Sequence, residues 1–197
     1  AALAEPLGVA LHGATRAGSL TGTRVLVSGA GPIGLLAVIA ARARGAAHVT
    51  VTDVLAQPLE RALALGADAA VRAGTDELPA EAFDVVLECS GAPAAISAAA
   101  VAARRRGVIV QVGMVPNEPR GINLAPLISK EIDLRGIIGY RRDHPETIKL
   151  VREGKIRYYG HSNFAGWQIA EAEFTSIARS TGRFVSAQNH YSLLARA

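Results

Sequence analysis

The sequence predicts an α/β fold, a doubly wound parallel sheet extended at its C-terminal end by one further βαβ unit. Three observations predict it. Short runs rich in Val, Ile and Leu alternate with Ala- and Leu-rich stretches of helical spacing. Residues 25–34 read V-L-V-S-G-A-G-P-I-G, an apolar run entering a Gly-x-Gly-x-x-Gly turn at Gly29, Gly31 and Gly34. Residues 49–53 read V-T-V-T-D, a second apolar run that ends in the carboxylate of Asp53.

The elements follow in order. Residues 4–17 have helical spacing, and residues 25–28 are the first strand. Residues 33–44 form the first crossover helix, which Gly45 stops, and residues 49–53 the second strand. A helix over residues 58–65 has Pro58 at its start and Gly66 as its stop. Residues 69–71 are a short third strand, followed by a polar loop containing Pro79 and Gly74. Residues 83–89 are a fourth strand, residues 94–103 an Ala-rich helix, and residues 108–112 a fifth strand closed by Gly113. The basic run Arg104, Arg105 and Arg106 falls where that helix ends, and cations there complement the helix dipole. Residues 124–130 are a short helix and residues 132–140 a sixth strand. Right-handed crossovers give the strand order 3-2-1-4-5-6, the Rossmann arrangement, with a ligand crevice at the carboxyl ends of strands one and four. The pattern then continues: a strand over residues 156–160, a helix over 167–180 and a strand over 184–188.

The glycine turn and the acid imply dinucleotide binding. Gly29 permits the turn, Gly31 leaves room for a pyrophosphate against bare main chain, and Gly34 lets the helix approach the strand. Pro32, in the first helical turn, gives up no needed N–H, and Ile33 completes the loop. The helix N-terminus adds partial positive charge at the phosphates. Asp53 follows Gly34 at about the twenty-residue spacing that places a carboxylate on the adenosine ribose hydroxyls, a preference for NAD. The competing reading is an ordinary strand-turn-helix corner whose glycines serve sterics alone; it leaves the position of Asp53 a coincidence.

Composition narrows the function classes. Apolar residues are 50% of the 197-residue chain and aromatics only 5%, so the core must come from Ala, Val, Ile and Leu. No apolar run reaches the ~20 residues of a membrane span, and the N-terminus lacks the basic segment of a signal peptide. The single cysteine, Cys89, excludes an internal disulfide and a cysteine-rich zinc site, and a cytoplasmic location is expected. The net charge of +4 comes from scattered arginines. Nucleic-acid binding would want a wider basic face with aromatic platforms. Met114 is the only methionine, so the chain is expected to be an excerpt of a longer one or to have lost an initiator.

Residues 1–150 resemble the cofactor domain of the zinc-dependent medium-chain dehydrogenases, in their sorbitol, threonine and idonate branch. The matching strings are A-L-A-E-P-L-G-V-A-L-H, V-S-G-A-G-P-I-G, V-T-D, A-L-G-A-D, V-L-E-C-S-G, V-Q-V-G and D-L-R-G. The resemblance implies an NAD-binding Rossmann domain, with Gly29, Gly31, Pro32, Ile33 and Gly34 on the pyrophosphate and Asp53 on the ribose. It puts Cys89, Ser90 and Gly91 along the nicotinamide side, and Val112, Gly113 and Met114 at the carboxamide. It implies no metal site and no catalytic group in this stretch, because the family's zinc ligands belong to a catalytic domain that mostly precedes it. Glu5 matches a glutamate near that zinc, but catalytic zinc wants three protein ligands, and a charge near the start of a helix is the plainer role. His12, on the same helix, is expected to pack against the sheet. Pro58 stands where the branch often has an arginine on the ribose, and Gly139 where it often has one on the substrate. In the family the sixth strand pairs with its mate to form a homodimer.

Residues 151–197 resemble the aldo-keto reductases instead, through L-V-R-E-G-K-I-R-Y-Y-G-H-S-N-F-A-G-W-Q-I-A-E-A and F-V-S-A-Q-N-H-Y-S-L-L-A-R. The resemblance implies strands five and six of a (β/α)8 barrel, a partial barrel fragment. Its positions at Ser162, Asn163 and Gln188 would bond the nicotinamide carboxamide; His161 departs from the small apolar residue common there. The family's catalytic tetrad lies upstream of this segment. Tyr191, His190 and His161 are no substitute, since Tyr with an ordinary pKa near 10 is a poor acid without a fixed Lys or His partner. The two halves together imply a chimera with its seam at residues 148–155.

Three functions compete. The first, preferred, is a dinucleotide-binding module of oxidoreductase descent without turnover of its own. The second is an NAD-dependent oxidoreductase of polyols or secondary alcohols, completed by missing sequence or a partner chain. The third is a scaffold without ligand, dimerising through the apolar sixth strand.

Overall fold

The structure is a computed structural model that describes residues 4–117, 121–139, 149, 153, 160–162, 164–180 and 182–188. Its elements are α1 (Ala4–Ala17), β1 (Arg24–Ser28), α2 (Pro32–Ala43), β2 (His48–Asp53), α3 (Ala56–Ala64), β3 (Ala69–Arg72), β4 (Phe83–Glu88), α4 (Pro93–Ala102), β5 (Ala103–Gln111), α5 (Ala125–Ser129), β6 (Asp133–Gly136), β7 (His161–Ser162), α6 (Gly166–Ala178) and β8 (Ala187–Gln188). They divide into two compact units, Leu7–Arg141 and Ala1–Pro6 with Arg142–Ala197.

The larger unit holds a six-stranded sheet in the order β3-β2-β1-β4-β5-β6. All of its strand pairs are parallel. This is the order expected from the sequence. Parallel strands covered on both faces read as continuous apolar runs, and Val25, Leu26 and Val27 of β1 are fully buried. α2 and α3 pack on β1, β2 and β3, while α4 packs on β4 and β5. Leu26, Phe83, Val86, Ile109 and Ile132 form a core against Ala99, Ala100, Ala102 and Ala103. Alanine at 99, 100 and 102 lets α4 sit close to the strands, which is how a chain poor in aromatics closes its interior.

The ends of the sheet place the crevice. Ser28 is in register with Thr52 and with Glu88, and Glu88 with Gln111. The carboxyl ends of β2, β1, β4 and β5 therefore stop level with one another.

Two local expectations are corrected. The arginines at 104–106 do not end a helix. α4 stops at Ala102, Ala103 turns extended at φ −62° and ψ 136°, and the arginines lie in β5. The β4–β5 register shifts between Phe83 and Val85, opposite this run. Arg106 takes φ 55° there, and a Cβ on Gly107 would lie 2.9 Å from the Arg104 carbonyl oxygen. The carbonyls at the end of α4 are taken by other donors. The buried Lys130 Nζ donates to Val101 O and Ala103 O at 2.8 and 2.6 Å, and the Ala82 N–H donates to Ala102 O at 2.9 Å. The sixth strand is also shorter than expected: residues 137–139 follow it outside the sheet, and Tyr140 lies outside the described residues.

In the second unit, β7, α6 and β8 form a parallel βαβ, with His161 in register with Ala187 and Ser162 with Gln188. These strands form a two-stranded parallel sheet. The strand expected over 156–160 lies mostly outside the described residues, and residues 184–186 are described without strand structure. No helix among the described residues is long and apolar enough to cross a membrane.

Candidate functional site

The site grows from the turn between β1 and α2. Gly29 sits at φ 95°, in the left-handed region, and its N–H donates to Thr52 O at 2.8 Å, tying the end of β1 to β2. Gly31 is the N-cap of α2, with Pro32 in the first turn and no side chain capping the helix. The first N–H groups of a helix have no acceptor within it, so those of α2 remain available to an anion. A Cβ on Gly31 would meet nothing within 4 Å. A Cβ on Gly34 would fall 1.8 Å from the Gly29 carbonyl oxygen. The two glycines thus divide the work expected of them: Gly34 brings helix and strand together, and Gly31 leaves an open cradle at the helix end. Gly31 and Pro32 are exposed and Ile33 is half-buried.

Asp53, at the end of β2, is half-buried beside this turn. Its Oδ2 accepts from the Ala30 N–H at 2.7 Å and its Oδ1 from the Leu55 N–H at 2.9 Å. Each oxygen of a carboxylate keeps a further lone pair, so the group can still receive two ribose hydroxyls. Val54 and Leu55, next to it, are exposed at 64% and 60%, an apolar shelf at the same edge.

The other half of the crevice is apolar. Ile33, Cys89, Val112, Gly113 and Met114 line one cleft of about 290 Å³, joined by Val9, Ile137, Ile138 and Gly139. Five positions that the sequence assigned to the cofactor therefore meet around one cavity. Ser90 and Gly91 do not line it. They fold back onto Glu88, and a Cβ on Gly91 would lie 2.0 Å from the Met114 carbonyl oxygen. Val9, Ile137 and Ile138 were missed because α1 and the segment after β6 reach the cleft only through the fold.

Glu88 was missed as well. Its side chain is fully buried at the end of β4. Oε1 accepts from the Ser90 N–H at 3.0 Å, from the Ser28 hydroxyl at 3.4 Å and from the Ser90 hydroxyl. Oε2 accepts from the Gly91 N–H at 2.9 Å and from Gln111 Nε2 at 2.5 Å. Gln111 Nε2 also donates to Gly113 O at 2.9 Å. The carboxylate thus anchors both loops that flank the cleft. The sequence shows an acid closing an apolar strand pattern, but not that the fold buries it.

Cys89 is half-buried, and its thiol donates weakly to Leu87 O at 3.6 Å. Burial, with the Glu88 carboxylate next to it, pushes the thiol far above its ordinary pKa. It remains protonated at neutral pH, which suits an apolar wall and not a nucleophile or a metal ligand. Among the described residues no three His, Cys, Asp or Glu side chains gather as a metal ion requires. The described residues therefore do not fit a catalytic zinc ion. The side chain of Glu5 lies outside the described set, as do Asn163, His190 and Tyr191. His12 is half-buried on α1.

A parallel sheet in this strand order, a glycine turn at an uncapped helix end and an acid closing the next strand define the Rossmann class of α/β domains. A family profile described as "Zinc-binding dehydrogenase" matches residues 32–153. The chain belongs to the zinc-binding dehydrogenase family. Sorbitol dehydrogenase of Gallus gallus is 39% identical to it over 79% of this chain and 46% of its own length. L-idonate 5-dehydrogenase (NAD(P)(+)) of Escherichia coli strain K12 is also 39% identical, over the same shares. The crystal structure of the Escherichia coli L-idonate 5-dehydrogenase superposes with a TM-score of 0.75 and 32% identity, covering 95% of this chain and 56% of that one. The chain spans about half the length of the curated relatives it matches.

Proposed function

We propose that the six-stranded unit is the NAD-binding half of an oxidoreductase acting on polyols or secondary alcohols. The observation that carries this is the pairing of the open, uncapped end of α2 at Gly31 with the Asp53 carboxylate across the same turn. Gly29, Gly31, Pro32, Ile33 and Gly34 would hold the pyrophosphate, and Asp53 the adenosine ribose. Cys89, Val112, Gly113 and Met114 would enclose the nicotinamide, with Ser90 and Gly91 shaping that wall from behind. Bound NAD supplies a hydride acceptor. The described residues bind and orient it and leave zinc and acid–base chemistry to groups outside themselves. The names of the curated relatives, sorbitol and L-idonate dehydrogenases, support the substrate class.

NAD rather than NADP follows from charge. A ribose phosphate ~4 Å from Asp53 would cost about 4 kcal/mol per charge pair at an effective dielectric of about 20, and less with solvent screening. Calorimetric titration is expected to show NAD binding about tenfold to a hundredfold tighter than NADP. Equal affinities would remove Asp53 from this role.

Residues 151–197 we assign to a separate origin, as a βαβ fragment of the aldo-keto reductase barrel type. The family profile ends at residue 153, and β7-α6-β8 forms its own parallel pair. The adjoining coding sequence tests this: an uninterrupted dehydrogenase reading frame on both sides of the segment would refute it.

A second reading, self-association, is favoured by one observation. β6 is the last strand of its sheet, and Leu134 on it is 45% exposed. Such an edge invites pairing with a second copy. Light scattering is expected to find a dimer, and a strictly monomeric protein would dismiss it.

A further inference from the structure

Glu88 is costly in a way that its local role does not explain. It is fully buried, and the groups bonded to it, two hydroxyls, two backbone N–H groups and one amide, are all neutral. Both oxygens face N–H donors, the arrangement that an ionised carboxylate satisfies. Among the described residues no Lys, Arg or His is ion-paired with it. A buried charge without a counter-charge is among the least favourable things a fold can carry. A glutamine would fill the same volume and could keep part of the network without that penalty.

The location suggests what offsets it. Glu88 precedes Cys89, and its backbone carbonyl accepts from the Val112 and Gly113 N–H groups at 2.8 and 2.9 Å. Cys89, Val112 and Gly113 all line the apolar cleft. Gln111 Nε2 bridges the carboxylate to the Gly113 carbonyl, so the charge stands one side chain from a wall of low polarity, where its field is weakly screened.

We propose that the Glu88 carboxylate supplies the missing half of an ion pair that forms only when the cofactor is bound, so that the cleft favours the oxidised, cationic nicotinamide over the reduced, neutral one. The inference rests on the reading of this cleft as the nicotinamide site. Glu88 is then a positioning and charge-setting residue that acts through Cys89 and Gly113 without touching the ring.

The test separates charge from architecture. Calorimetric titrations with NAD+, NADH and ADP-ribose are made on the wild-type chain and on Glu88→Gln. Any loosening of the walls weakens both redox forms and cancels in the ratio of their dissociation constants, Kd(NAD+)/Kd(NADH). Loss of the charge does not cancel, and the ratio is expected to rise about three- to tenfold, the size of one weakly screened charge interaction at an effective dielectric of about 20. A ratio unchanged within about twofold overturns the proposal. Should Glu88→Gln fail to fold, Gln111→Lys, which sets an ammonium beside the carboxylate, must raise the ratio in the same sense or the proposal falls. ADP-ribose lacks the ring. If the wild-type chain does not bind it, the dinucleotide reading fails and takes this proposal with it; if it binds and the ratio stays put, only the proposal fails.

Discussion

Gly31 and Gly34 occupy the same helical turn, yet a methyl group at each has a different consequence. At Gly31 the new Cβ would meet nothing, so Gly31→Ala is expected to leave the melting temperature nearly unchanged. Under the proposed function it would fill the cradle meant for a pyrophosphate, and NAD affinity should fall at least about tenfold. At Gly34 the Cβ would strike the Gly29 carbonyl, so Gly34→Ala is expected to destabilise the domain by about 1–3 kcal/mol or more, the cost of overpacking. Denaturation curves and titrations of the two variants check this. Loss of stability in Gly31→Ala without loss of binding would reverse the assignments. Both glycines were legible in the sequence, because a glycine turn between a strand and a helix carries steric meaning by itself. Glu88 was not. Its burial depends on Ser28, Gln111 and Gly91 converging on it from other segments, and one strand cannot display that.

At the scale of elements, two aspartates staple neighbouring strands. Asp84 on β4 accepts from the Arg24 N–H on β1 at 2.8 Å and from Arg104 Nε on β5 at 2.6 Å. Burial raises its pKa, but these two donors outweigh burial and hold it below the ordinary carboxylate value. Asp68 accepts from the Val49 N–H at 2.7 Å, and that bond, with help from Arg42, lowers its pKa too. A folded-state pKa below the unfolded one means stability that is fully present above the ordinary carboxylate value. It is lost as the pH falls from there through the lowered folded value. The melting temperature should accordingly drop below about pH 4. Asp84→Asn should cost about 1–2 kcal/mol at neutral pH and make the acid limb shallower. An acid limb of unchanged slope in that variant would exclude Asp84 as a source. Element boundaries show where sequence pattern stops short. The Ala-rich pattern runs to residue 103 with the arginines expected at the helix end, but residues 103–106 lie in β5, beside the register shift against β4. The capping cation of α4 is Lys130, which comes from a distant turn and not from the adjacent basic run.

The whole molecule divides into two compact units, and their described residues differ in how much they bury. The six-stranded unit has a continuous apolar interior, whereas no residue of α6 is buried. Phe174, Ile177 and Val185 in the smaller unit are exposed at 70%, 58% and 62%. A βαβ that buries so little can offset little of the entropy of ordering it. The chain's only tryptophan, Trp167, is on α6 and 68% exposed, so its fluorescence reports this unit alone. In a urea titration the fluorescence transition should precede the loss of far-ultraviolet circular dichroism, which reports mainly the large sheet. Coincident transitions would mean one cooperative molecule.

The order and type of the elements, the glycine turn, Asp53 and the family were all determined by the sequence alone, since each depends on neighbours along the chain. Periodicity, turn sterics and the spacing from strand to acid are local properties that survive without a fold. Only the tertiary structure decided that Glu88 is buried with no ion-paired cation among the described residues, that Val9 and Ile137 close the apolar cleft, and that β7 and β8 pair with each other. Those facts concern segments far apart in the chain, and burial and strand pairing come into being when the interior closes.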